Sequence, residues 1–137
     1  MSKISGPLLD RIDIHIEVPA VSYQELSTSQ PGTSSREMCD VVRQARDRQT
    51  ARFVGHPRTR ANSQMNSREI REFCQLDKAC RELLKQSVAD LGLSARAHDK
   101  VLRVARTIAD LEQQEAIQTE HLQEAVNYRM LDRQIWT

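Results

Sequence analysis

Ile12, Ile14, Ile16 and Val18 recur at period two, with Arg11, Asp13, His15 and Glu17 on the opposite face. That alternation reads as a half-buried β-strand, ended by Pro19. After Val18 no second β-branched run occurs that could pair with it, and a lone strand cannot satisfy its own ladder. The 137-residue chain is therefore expected to be mainly α, with one orphan N-terminal strand whose sheet partners lie elsewhere and which, without them, frays or leans on the helices.

Start and stop signals divide the remainder into helices. Residues 20–33 are a connector with a Pro31-Gly32 turn. Ser34 and Glu37 form a capping box that opens a long helix through Phe53, which Gly55-His56-Pro57 ends. Asn66 or Ser67, with Glu69, opens a short helix to about Gln75, with Ile70, Phe73 and Cys74 inward. Asp77 caps a third helix, closed by Gly92 as a left-handed C-cap. Ser94 caps a fourth, to about Gln113, whose Val101, Leu102, Val104, Ala105, Ile108, Ala109 and Leu111 form the strongest apolar face in the chain. Thr119 caps a last helix to about Met130. Short connectors between these helices imply a compact four- to five-helix bundle, with Trp136 expected to anchor the terminus.

Composition narrows the function. Twenty Lys and Arg against 19 Asp and Glu leave a net charge of only +1, so any basic function is local. That local excess lies at residues 36–60, where seven arginines meet three acids, a net charge of +4. Arg43, Arg46, Arg48, Arg52, Arg58 and Arg60 are thus candidates to hold a nucleic-acid backbone by counterion release. The competing reading is a solvated linker helix. With Phe53 the one aromatic nearby, base stacking is a weak mode. No apolar run is long enough for a membrane span and no signal segment follows the start, so a cytoplasmic protein without membrane partners is expected. Cys39, Cys74 and Cys80 show no C-x-x-C spacing, and the four histidines are scattered; reduced thiols and no bound metal are expected. The four glycines include no phosphate-cradling G-x-x-x-x-G-K-[ST] loop, so this chain by itself should not hydrolyse nucleotide.

Three runs carry a resemblance: Ser5-Gly6-Pro7-Leu8-Leu9-Asp10-Arg11-Ile12-Asp13; Leu93-Ser94-Ala95-Arg96-Ala97 continuing into 103–111; and Tyr128-Arg129-Met130-Leu131-Asp132-Arg133. In this order they resemble the C-terminal part of the magnesium-chelatase-like AAA+ ATPases, in particular the branch that acts on DNA in natural transformation. The resemblance implies a helical lid domain at 66–137, a connector and basic linker helix at 20–65, and at 1–19 the last strand and arginine-finger loop of an ATPase core absent from this chain. It further implies a homo-hexamer when full-length, using ATP and Mg, with none bound by this chain alone, and DNA as partner in branch migration.

By that resemblance Arg11 matches the arginine finger, acting in trans on a neighbour's nucleotide. A fixed guanidinium there offsets charge on the transferring phosphoryl group. From local sequence alone, Arg11 could instead pair with Asp10 or Asp13. Arg96 matches the sensor-2 arginine, on the first turn of a helix whose N-terminus favours phosphate oxygens. The long helix 34–53 sits where the family inserts a helix that swings the lid away from its own nucleotide, leaving Arg96 open to act in cis or in trans. Arg103 could share its face, and Arg106 is placed to pair with Asp110 at i,i+4. The rival readings are a stand-alone helical DNA-binding module and the lid of a metal-insertion chelatase subunit.

Overall fold

The computed structural model describes Leu8, residues 11–28 and residues 31–130. Among these lie six α-helices: α1 (Tyr23–Leu26), α2 (Ser35–Arg52), α3 (Ser67–Phe73), α4 (Lys78–Leu91), α5 (Ala95–Leu111) and α6 (Thr119–Asn127), with a 3-10 turn at Asn62–Gln64. The expected anchor Trp136 lies outside the described residues.

The helices begin where side chains can satisfy orphan backbone N–H groups. Ser34 accepts from Glu37 N, while the Glu37 carboxylate accepts from Ser34 N at 2.7 Å. Asn66 and Glu69 repeat that reciprocal box on α3, Asp77 accepts from Cys80 N at 2.8 Å, and Ser94 accepts from Ala97 N at 3.1 Å. Gly92 ends α4 at φ +62°, in the left-handed region. Three elements differ from expectation. Helix α6 has Gln118 rather than Thr119 as its N-cap, because the backbone N–H of Gln118 finds the His121 ring three residues on, and it ends at Asn127, short of Met130. The short helix α1 sits in the expected connector, started by a Ser22–Glu25 capping box. Helix α5 stops at Leu111, because Gln113 itself turns left-handed at φ 58° and Gln114 N donates back to Ala109 O. That strained turn is held from outside: Arg48 donates to Gln113 O at 2.6 Å, and the Gln113 side-chain amide donates to Gln44.

Helix α5 is the axis of the fold, contacting α2, α3, α6 and the 3-10 turn, while α4 packs on α6. Val101, Leu102, Ala105, Ile108 and Ala109 bury its inner face against Met65, Ile70, Cys74, Leu84, Ile117, Leu122 and Val126. Each large side chain so buried contributes about 1.5–3 kcal/mol. Phe53, His56 and Phe73 close one end with edge-to-face ring contacts.

A polar knot ties α2 to this axis. Arg52 donates to both oxygens of Asp110, at 2.7 and 2.5 Å, and Asn62 Nδ2 adds a bond at 2.8 Å. The expected Arg106–Asp110 pair is present at 3.2 Å. Arg106 also donates to the carbonyls of Gln114 and Glu115, clasping the α5–α6 loop. Burial lowers the Arg106 pKa, and the Asp110 charge opposes that shift.

The segment after Arg11, expected to fray or to lean on the helices in the absence of its sheet, leans on them. It is irregular rather than a strand among the described residues, and Ile12, Ile14, Ile16 and Val18 are 39%, 48%, 65% and 77% exposed, while His15 is buried. With no neighbouring strand among the described residues to complete a ladder, the chain docks on the helical body through Asp13 and His15 and leaves its aliphatic side chains partly exposed.

Asp110→Ala should cost about 3–5 kcal/mol in urea denaturation, because it strands Arg52 and Arg106 without their carboxylate. Gly92→Ala should cost about 1 kcal/mol through its left-handed backbone alone.

Candidate functional site

Both expected nucleotide-facing arginines are exposed. Arg96 lies on the first turn of α5, two residues after the cap Ser94. Arg11 sits in a turn whose backbone N–H donates to Leu8 O at 3.0 Å. Neither guanidinium makes a hydrogen bond or ion pair among the described residues, and Arg11 is not paired with Asp13. Asp13 pairs instead with Lys100 at 2.6 Å. Lys100 stands one helical turn after Arg96, so this ion pair brings the Arg11 turn alongside the helix that carries Arg96.

Two further contacts fix the same segment. His15 N donates to Tyr128 O at 2.8 Å, just past the end of α6, and Arg129 donates from a buried position to Ile12 O. Beside them a groove of about 440 Å³ runs between Ile14 and Ile16 on one wall and Val104, Ile108 and Leu111 on the other.

The other arginines separate sharply. Arg52 is consumed by Asp110 and Asn62, and Arg48 by Gln113 O. Arg43 faces Asp40 at 3.5 Å on the surface. Arg46, Arg58 and Arg60 are exposed. Arg103 does not share an open face with Arg96; its guanidinium donates to Met65 O at 3.1 and 2.6 Å. The basic stripe read from residues 36–60 is therefore partly structural, since two of its cations are spent inside the fold.

Sequence reasoning passed over Lys100 and Arg129, whose partners lie 87 and 117 residues away in the chain. It also missed the Glu69 cluster. There Thr59 Oγ1 and His56 Nδ1 donate to the carboxylate at 2.9 Å, while Asn66 N donates to Oε2 at 2.9 Å. The Asn66 backbone bond, followed by the Thr59 and His56 contacts, holds the Glu69 pKa below its ordinary value of 4.5, against an opposing effect of burial. The capping box was the available signal for Glu69; no local pattern announced its His56 and Thr59 partners.

With this geometry in view, two matches to known sequences define the class. The family described as "Magnesium chelatase, subunit ChlI C-terminal" matches residues 32–129, and "Magnesium chelatase, subunit ChlI" matches residues 1–26. The chain belongs to the magnesium chelatase ChlI-like family and carries its C-terminal domain. Among individual proteins it is 42% identical to the uncharacterized protein YifB of Escherichia coli over 134 residues, covering 97% of this chain and 26% of that protein. It is 39% identical to YifB of Salmonella typhimurium over 97% of this chain and 26% of the relative. To competence protein ComM of Haemophilus influenzae it is 37% identical over 97% of this chain and 25% of the relative. The chain thus spans about a quarter of the length of these relatives. No described helix is long and apolar enough to cross a membrane.

Two measurements follow from the buried groups. Because the Glu69 pKa is lowered on folding, its contribution is complete above the ordinary glutamate value and fades as pH falls below it; Glu69→Gln should flatten that part of the acid-unfolding curve. Burial pushes the Cys74 thiol up to about 12 and Cys80 to about 11, whereas Cys39 is exposed. A thiol reagent at pH 8 should modify Cys39 in the native protein, and Cys74 and Cys80 only on unfolding.

Proposed function

We propose that this chain is the nucleotide-sensing lid of a homo-hexameric ATPase of the ComM type, in which hydrolysis of ATP drives DNA branch migration during natural transformation. The single observation that carries the reading is the contrast among arginines. Arg52, Arg103 and Arg106 are spent on internal partners, while Arg11 and Arg96 are exposed, have no hydrogen-bond or ion-pair partner among the described residues, and lie on elements joined by the Asp13–Lys100 pair. The likeness to a competence protein supplies the DNA context.

In this reading ATP with Mg²⁺, held by the core of the whole protein, supplies the phosphoryl group. Arg96 holds phosphate oxygens, aided by the N-terminal partial charge of α5. Arg11 enters the neighbouring subunit's site and offsets charge that develops as the terminal phosphoryl group departs. A guanidinium suits both tasks because it stays charged and offers a planar fork of donors to oxygen anions. The exposed Arg43, Arg46, Arg58 and Arg60 supply at most a weak, sequence-independent DNA contact.

In the whole ATPase, Arg11→Ala should lower turnover by about 10³-fold or more, and Arg96→Ala should also abolish measurable hydrolysis, with far-UV circular dichroism unchanged. Wild-type turnover in both variants would sink the reading. Fluorescence anisotropy of this chain with duplex and branched DNA across a salt series tests the rival: tight binding with a steep salt slope would mark a stand-alone DNA-binding module instead.

A further inference from the structure

Three contacts, one from α5 and two from the residues just past the end of α6, converge on the four residues that follow Arg11. Arg129 takes Ile12 O, Lys100 takes Asp13, and Tyr128 O takes His15 N. We infer that Lys100 and Arg129 are positioning residues that lock the Arg11 turn to the lid helices, so that Arg11 and Arg96 move as one body. The inference rests on the reading of Arg11 and Arg96 as nucleotide-facing and adds the device that couples them.

Burying a guanidinium costs several kcal/mol before its partners compensate, and a well-packed apolar side chain at position 129 would serve a helical core as well or better. Arg129 reaches the backbone of a segment with no regular structure, whose isoleucines remain partly exposed. Such a contact fixes where Ile12 is, and Ile12 is the residue next to Arg11. Lys100 does the same from α5: its side chain is only 14% exposed, so its ammonium is held against Asp13 rather than swinging in solvent. Tyr128 O, at the end of α6, completes the grip through a backbone bond that side-chain substitution does not remove.

The frame is short and stiff. Asp13 is two residues from Arg11, at most about 7 Å of extended chain. Lys100 is four residues from Arg96, about 6 Å along the helix axis. A displacement of α5 when Arg96 meets or loses a phosphate therefore carries the Arg11 turn with it. Rate is sensitive to such positioning: a misplacement of about 1 Å costs up to about 10²-fold.

The test has two arms. In this 137-residue chain, Lys100→Ala and Asp13→Ala should each speed amide exchange at His15 by about 2- to 5-fold, the effect of losing one partly exposed ion pair, and the swapped double variant D13K/K100D should restore protection. In the whole ATPase, Lys100→Ala should lower kcat by up to about 10²-fold with the KM for ATP within about twofold, and the swap should recover most of the loss. Arg129→Lys, which keeps the charge but loses the fork, should reproduce the same split while sparing the core from an alanine void. Unchanged His15 exchange in Lys100→Ala, or a kcat loss that the swap does not relieve, would overturn the inference. Its failure is distinct from failure of the ATPase reading, which is decided by turnover in Arg11→Ala and Arg96→Ala.

Discussion

Asp110 is the pivot of this fold. Its carboxylate has no exposed surface and accepts from Arg52, Asn62 and Arg106, which come from α2, the 3-10 turn and α5 itself. A buried anion with these partners imposes geometry that apolar packing does not, because each donor must arrive at its own angle and distance. Helix α2 buries little of its own surface, with Ala45 and Gln49 its buried residues, so the Arg52 fork largely sets its seat on α5. Arg106 extends the same network to the α5–α6 loop and thereby positions the start of α6.

That seat has consequences at the other end of α5. The helix carries Asp110 in its last turn, Lys100 near its middle and Arg96 in its first turn. A rigid rod fixed by a buried knot at one end can hold an exposed arginine and a docked segment in constant relation at the other. His121 contributes to the same stiffness at the α5–α6 connection. Gln118 N donates to its Nδ1 at 3.0 Å, which leaves Nε2–H to donate to Glu112 at 3.0 Å and fixes one neutral tautomer.

Much of the helical layout was legible in the chain, because capping is local chemistry. Ser34–Glu37, Asn66–Glu69, Asp77, Gly92 and Ser94 announce their boundaries within three or four residues, and the structure uses each as expected. The expected Arg106–Asp110 pair is of the same local kind. The misses have another character. Gln113 ends α5 without a glycine because Arg48, 65 residues away, holds its carbonyl. The alternating run 12–18 carries a strand pattern with nothing among the described residues to pair with, and its leaning on the helices was expected, but not that it would reach Lys100 of α5 and Tyr128 just past α6.

The basic stripe at 36–60 shows the limit most clearly. Sequence gives charge and spacing, and by those measures Arg48, Arg52, Arg58 and Arg60 are alike. The fold spends Arg52 on a buried carboxylate 58 residues distant and leaves Arg58 and Arg60 to solvent. The chain by itself determined the main helices, the caps at Ser34, Asn66, Asp77, Gly92 and Ser94 and the apolar face of α5, since these depend on neighbours within one or two turns. Arg11 and Arg96, by contrast, are singled out by resemblance to a family. Only the tertiary structure decided which arginines are structural, that Lys100 and Arg129 grip the Arg11 turn, and where Asp110 finds its partners. Those outcomes depend on which distant residues share one desolvated space, and charge pairing across such distances leaves no periodic trace in a sequence.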